Sequence, residues 1–217
     1  MPEDHATLKL VIDGLVAGGT IAVAALAIWG EQIRSVFAPP KLLLRPHNLK
    51  GDPNRYTTTV SVRGTQISLG GDRVMFYHLR VVNLRPSLTV TNCQVLLKAM
   101  SRRGPDNHFY PVPLVVAIPF IWSLPDITPP LVTITKEQIL DFGKIGENDG
   151  KFSPTLRTVT NNFAGYVAAG EAVRYHLEID ASNFTSPQPQ IFEVAWDGEW
   201  HHEPEEMSKH LTITEIP

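Results

Sequence analysis

Seventeen consecutive residues, Gly14 to Gly30 (GLVAGGTIAVAALAIWG), carry no charged side chain. Extended to Leu10–Trp29, the run would measure roughly 30 Å as a helix, the thickness of a bilayer's hydrocarbon core. Asp13 lies one turn from the start, where its carboxylate reaches the interface, and Trp29 sits at the other edge, where an indole is favoured. Such a run can be an anchor that stays, a secretory leader that is removed, or the buried helix of a soluble protein. Ala22-Val-Ala24 and Ala25-Leu-Ala27 fit a small-x-small cleavage pattern. The preceding residues, however, set Glu3 and Asp4 against Lys9, where a leader needs a positive balance. The helical pattern also continues through Glu31, Gln32, Ile33, Arg34, Val36 and Phe37 until Pro39-Pro40 stops it. A buried helix would suit the high alanine and glycine content, but length and flanks fit an anchor best. The expected organisation is a short N-terminal tail (1–9), a transmembrane helix with its juxtamembrane extension (10–37), and a β domain (38–217).

Flanking charge gives the direction. The short side offers Lys9 and the terminal amine; the other offers Arg34, Lys41, Arg45 and Lys50. Basic residues stay in the cytoplasm. The expected placement is therefore that of a single-pass protein of a bacterial inner (cytoplasmic) membrane, with its N-terminus outside and its globular part inside. Arg34, Lys41 and Arg45 are close enough to the helix to meet anionic headgroups of the lipid bilayer. Gly14, Gly18 and Ala22 recur every four residues and line one face, a groove for a second copy of the helix, so a homo-oligomer is expected through it. Cys93 is the only cysteine, which rules out an intrachain disulfide and fits a reducing compartment.

The net charge of −3 conceals an asymmetry. Residues 1–110 hold 13 Lys and Arg against 7 Asp and Glu, whereas residues 111–217 hold 6 against 15. That imbalance suits a charged partner surface, although in a β fold the two halves interleave. No basic run accompanies it, and nucleic acid is not expected as a partner.

Beyond Pro40 the texture is that of strands. Tyr56–Leu69 is dense in Thr, Val and Ile; Gly70-Gly71-Asp72 reads as a turn, and Arg73–Asn83 as the next strand. Thr89–Met100, Ala172–Ala181, Gln190–Trp196 and Leu211–Ile216 complete the set. Many short strands between turn signals predict an all-β fold, an immunoglobulin-like antiparallel β-sandwich preceded by the one N-terminal transmembrane α-helix. Two similar strands, around Tyr77-His78-Leu79 and Tyr175-His176-Leu177, should each place Tyr and Leu on one face and His on the other. Thr135-Lys-Glu-Gln138 fits a capping box for a helix that Gly143 would close, and Gly143–Gly150 reads as a polar loop. Pro204-Glu205-Glu206 reads as the first turn of another helix.

Tyr110–Leu131 has six prolines and almost no charge, which confines it to an edge strand or extended loop. Its apolar side chains either cap one end of the sandwich or offer a contact surface through Val116, Ile118, Phe120 and Trp122.

The sequence contains no G-x-S-x-G, P-loop, dinucleotide-binding or H-E-x-x-H pattern. His201-His202-Glu203, with Glu205, Glu206 and His210 nearby, has the right chemistry for zinc. Adjacent histidines in an extended chain diverge, however, and a solvated polar turn is expected there. No catalytic residue, cofactor or metal is therefore expected. The leading expectation is a membrane-anchored, non-enzymatic interaction or accessory module for an unidentified protein partner. The alternatives are a ligand-sensing membrane effector whose β domain controls helix assembly, and a periplasmic β domain released by cleavage after Ala27.

Overall fold

The computed structural model of the chain describes residues 3–37, 39–62 and 65–217, which fall into two compact units, Met1–Pro40 and Lys41–Pro217. The first is a single helix, α1 (Glu3–Phe37), which takes in most of the segment read as a tail. Alanine and leucine favour helix, and Pro39-Pro40 bars a further turn. Over Ile12–Gly30 this helix is long and apolar enough to cross a membrane, and none of that span is buried within the molecule. Leu15, Ile21 and Ile28 are exposed. The Thr20 hydroxyl donates to the Val16 carbonyl at 2.8 Å and so is satisfied inside the helix. Gly14 and Gly18 have open space around them, and Ala22 is exposed. The side chain of Arg34 lies outside the described residues; those of Lys41 and Arg45 are exposed.

The second unit is built from antiparallel strands. In chain order they are β1 (Leu42–Val62), β2 (Thr65–Asn83), β3 (Val90–Arg103), β4 (Phe109–Val112), β5 (Ile118–Pro119), β6 (Ile121–Trp122) and β7 (Val132–Ile134). There follow β8 (Glu137–Gly146), β9 (Lys151–Pro154), β10 (Val167–Ala168), β11 (Glu171–Ala181), β12 (Phe184–Thr185), β13 (Gln190–Trp196), a short helix α2 (Pro204–His210) and β14 (Leu211–Ile216). One sheet has the order β1-β2-β8-β9-β10 with β6 also on β8. The other runs β14-β13-β11-β3-β4, with β12 on β11 and with β5 and β7 on β3. The two sheets make the expected all-β sandwich. Within it, β8 carries both β6 and the later β9, and β3 carries β4, β5 and β7, features outside the seven-strand immunoglobulin scheme.

Alternation builds the core. Tyr77, Leu79 and Val81 of β2 are buried while His78, Arg80 and Val82 are only partly so; Tyr175, Leu177 and Ile179 of β11 alternate with His176 and Glu178 in the same way. The two Tyr-His-Leu strands thus lie one in each sheet with both tyrosines inward. Between them is an aromatic cluster. The Phe142 ring lies 5.8 Å from Phe120, 5.7 Å from Tyr175 and 5.9 Å from Phe192, and Phe152 links Tyr77 at 5.9 Å to Tyr175 at 6.4 Å. Burying each such ring contributes about 1.5–3 kcal/mol.

Several expectations are corrected. Residues 137–146 are not helix but the strand β8 at the centre of its sheet. The capping-box spelling is outweighed by Leu140, Phe142 and Ile145, which have no exposed surface. Gly143 closes no helix: a Cβ there would stand 2.1 Å from the Phe152 ring, so glycine is what lets the ring lie against the strand. Gly143–Gly146 likewise belongs to β8 rather than to a polar loop. Gly70-Gly71-Asp72 lies inside β2, because β1 and β2 pair antiparallel from Leu42 with Asn83 to Val62 with Thr65. Tyr56–Leu69 is therefore two arms of one hairpin. Of the proposed apolar contact, Ile118, Phe120 and Trp122 are buried in the core and only Val116 stays exposed. β13, β14 and the first turn of α2 lie where the sequence places them.

Candidate functional site

Strict alternation fails once in β8, and the failure makes a site. Tyr77 pairs with Gly143 and His78 with Asp141, so Phe142 is an extra residue, a β-bulge. Phe142 and Gly143 both turn inward. The bulge lets Ile139, Asp141 and Lys144 line one outer cleft, with Phe76 and His78 from β2. A second irregularity, between Asn48 and Asp52 of β1, brings Asp52 to the same cleft. Gly51 makes it feasible: its φ is +94°, and a Cβ there would meet the Met75 side chain at 2.3 Å. Ser123, Leu124 and Pro125, just after β6, form another wall.

The cleft holds about 620 Å³, within the usual range for small-molecule sites. Its walls are largely apolar, with Phe76, Ile121, Leu124, Pro125 and Ile139. A polar chain crosses it. The His78 imidazole sets Nε2 at 3.2 Å from Asp52 Oδ2 and Nδ1 at 3.0 Å from Asp141 Oδ1. Asp52 also accepts a hydrogen bond from the Asn48 amide at 2.7 Å, and the Ser123 hydroxyl donates to Asp141. The Phe76 ring lies parallel to the imidazole, 6.5 Å away. Burial holds the Lys144 ammonium below its ordinary range, an effect that Asp149 opposes. The Thr155 hydroxyl is buried and has no hydrogen-bond partner among the described residues. At the lip, Leu124 adopts a left-handed φ of 59° while its carbonyl accepts the amides of Ile127 (3.1 Å) and Thr128 (3.0 Å).

The arrangement departs from that of a hydrolytic relay. A hydrolytic relay puts its serine on one imidazole nitrogen and its acid on the other. Here Ser123 Oγ, at 3.5 Å, and Asp141 share Nδ1, and the hydroxyl proton is committed to Asp141. Nε2 faces a second carboxylate instead of a nucleophile.

No motif in the sequence joins the cleft's polar residues. Asp52, His78, Ser123 and Asp141 come from four segments that only the sheet pairing brings together. The one available signal is the alternation that sets His78 on the outer face of its strand, opposite Tyr77 and Leu79. The residues marked in the sequence lie elsewhere: Gly14, Gly18 and Ala22 on α1, and Ile118, Phe120 and Trp122 in the core. Cys93 is fully buried, and that burial, with Asp180 nearby, pushes its thiol up to about 12. No protein-family model matches the chain, and no curated protein resembles it in sequence.

Proposed function

We propose that this chain is a membrane-tethered binding protein, whose β-sandwich takes up a small molecule with an apolar body and a hydrogen-bonding head. The observation that carries the reading is the 620 Å³ cleft, where five apolar side chains surround the Asp52–His78–Asp141–Ser123 chain and the unpartnered Thr155 hydroxyl. In this reading α1 is a transmembrane anchor, and Arg34, Lys41 and Arg45 set the β domain on the cytoplasmic side of an inner membrane. The role is non-enzymatic: occupancy of the cleft is sensed and passed on through helix pairing at Gly14, Gly18 and Ala22. The interaction-module reading is favoured by a different observation, the exposure of Val115 and Val116 together with Leu124 and Ile127.

The test uses the full chain purified in mild detergent. Organic extracts of the wild type and of Ile139→Trp, which narrows the cleft and substitutes none of His78's partners, are compared by mass spectrometry. A small molecule enriched with the wild type and lost from the variant is expected. No enrichment, or equal amounts in both, refutes the binding reading.

A further inference from the structure

Outside the cleft, the turn after β13 gathers four metal-ligating side chains. His210 Nδ1 lies 2.8 Å from Asp197 Oδ2 and 3.7 Å from Glu199 Oε2, and His201 Nε2 lies 3.8 Å from the same Glu199 oxygen. The ligand atoms of Glu199, His201 and His210 all fall within 4.8 Å of one another. We propose that this is a binding site for a zinc-like divalent transition metal, with His201 Nε2, His210 Nδ1 and Glu199 as its protein donors and Asp197 beside His210.

Geometry supports the assignment. A tetrahedral zinc ion with N and O donors at about 2.0–2.2 Å holds those donors roughly 3.3 Å apart. The separations of 2.8, 3.7 and 3.8 Å lie on either side of that value. Closing the shell round one ion requires the two imidazoles to turn from the stacked arrangement in which they lie, 4.6 Å apart, so that each ring nitrogen points at the metal. Donor chemistry supports it too, since two imidazoles with a carboxylate select zinc, nickel or copper over calcium and magnesium.

The backbone is already fixed in the required shape. Asp197 Oδ1 accepts the Glu199 amide at 2.9 Å, and the Trp196 indole donates to the Glu199 carbonyl at 3.1 Å. The Asp197 amide donates to the His210 carbonyl at 3.1 Å, which joins the turn to the end of α2. The His201 amide points at the sulfur of fully buried Met207, at 3.4 Å. Gly198, at φ +109°, passes so close to Ala169 that an added Cβ would stand 2.7 Å from it. The two ligand rings stack 4.6 Å apart, whereas His202 diverges onto Trp200 at 6.3 Å. The adjacent histidines do separate, as the sequence implies, and the second imidazole comes from α2.

The experiment is a zinc titration of the full-length, untagged chain in detergent, after EDTA stripping, against a chromophoric chelator. One zinc per chain is expected. Zinc at 100 times its dissociation constant should raise the midpoint of thermal unfolding by about 5–10 °C, and magnesium and calcium should not. His201→Ala and His210→Ala should each weaken zinc binding by at least about 100-fold, while His202→Ala leaves it unchanged. Glu199 is exposed, so Glu199→Gln tests the site without risk to folding and should weaken binding by about 10-fold or more. No zinc uptake by the wild type, or uptake that these substitutions leave unchanged, overturns the proposal.

Discussion

The look-alike strands β2 and β11 offer an unusually clean perturbation: the same change, Tyr→Phe, at Tyr77 and at Tyr175. Both side chains are fully buried, and burial pushes both phenols well above their ordinary range. Their hydroxyls differ. Tyr175 Oη donates to the Gly165 carbonyl at 2.5 Å, in a loop that Arg102 also holds through the Ala164 and Tyr166 carbonyls. Tyr77 Oη has no partner among the described residues. A buried hydrogen bond contributes about 1 kcal/mol net, and an acceptor left without its donor costs about 1–3 kcal/mol more. Tyr175→Phe should therefore destabilise by about 2 kcal/mol. Tyr77→Phe removes a hydroxyl that was desolvated without compensation, and should be neutral or stabilise by about 1 kcal/mol.

Urea titration of the full chain in detergent, followed by the fluorescence of the buried Trp122 and Trp196, measures both changes. In thermal unfolding followed the same way, the midpoints of the two variants should separate by about 4–12 °C, on opposite sides of the wild type or with Tyr77→Phe level with it. Equal losses at the two positions would refute the reasoning, because they would mean that the Tyr77 hydroxyl is bonded in solution or that ring packing alone decides.

Gly143→Ala should cost about 1–3 kcal/mol, since the new methyl meets a Phe152 ring boxed in by Tyr77, Phe142 and Tyr175; a double-mutant cycle with Phe152→Leu should recover most of it, and strict additivity would deny the contact. Cys93 should resist a maleimide in the folded chain and react once urea unfolds it; rapid labelling without denaturant would contradict its burial. Burial, and then Arg174, hold the His176 imidazole below the ordinary histidine range, so the folded chain binds that proton less tightly than the unfolded one. The contribution is complete above about pH 6.5 and is lost as pH falls below it; His176→Gln should flatten the fall in stability below about pH 6.5, and an unchanged slope would refute it. Replacing Gly14 and Gly18 by Leu should fill the small-residue face of α1 and weaken self-association in detergent, measured by sedimentation, whereas an unchanged oligomer would place the contact elsewhere.

What could be read from the sequence depended on whether a local rule or a distant one decides the element. β13 and β14 are bounded by turn residues and alternate cleanly, and Pro204 with two acids opens α2, so each announces itself within a few positions. β8 does not. Its bulge at Phe142 breaks the two-residue period, and Thr135-Lys-Glu-Gln138 spells a helix start just before it. Only long-range packing against Phe152, Tyr175 and Phe192 resolves the conflict. Composition divides the β1–β2 hairpin wrongly for a related reason: Gly70-Gly71 is a turn signal by its residue types, yet the register places it inside a paired strand.

The same distinction explains why both sites lie where motif searching finds nothing. Each is made at an irregularity. In the cleft, the bulge at Phe142 turns Asp141 and Lys144 outward beside Ile139, and the irregularity around Gly51 brings in Asp52. A strictly alternating β8 would set Asp141 and Lys144 on opposite faces. In the turn after β13, Gly198 takes a positive φ that allows Asp197 to fold back onto the Glu199 amide, and α2 then reverses the chain so that His210 returns to His201. Regular strands build the core and fix the frame, but a regular strand presents only every second residue to a given face. Convergence of several polar side chains on one point requires a break in that period. In this chain the breaks coincide with Gly51, Gly143 and Gly198, where a side chain would collide with Met75, Phe152 or Ala169. A β-branched residue at Gly51 or Gly198 should therefore disturb its own site more than the distant one, because each irregularity is held by local contacts and the sandwich between them is closely packed.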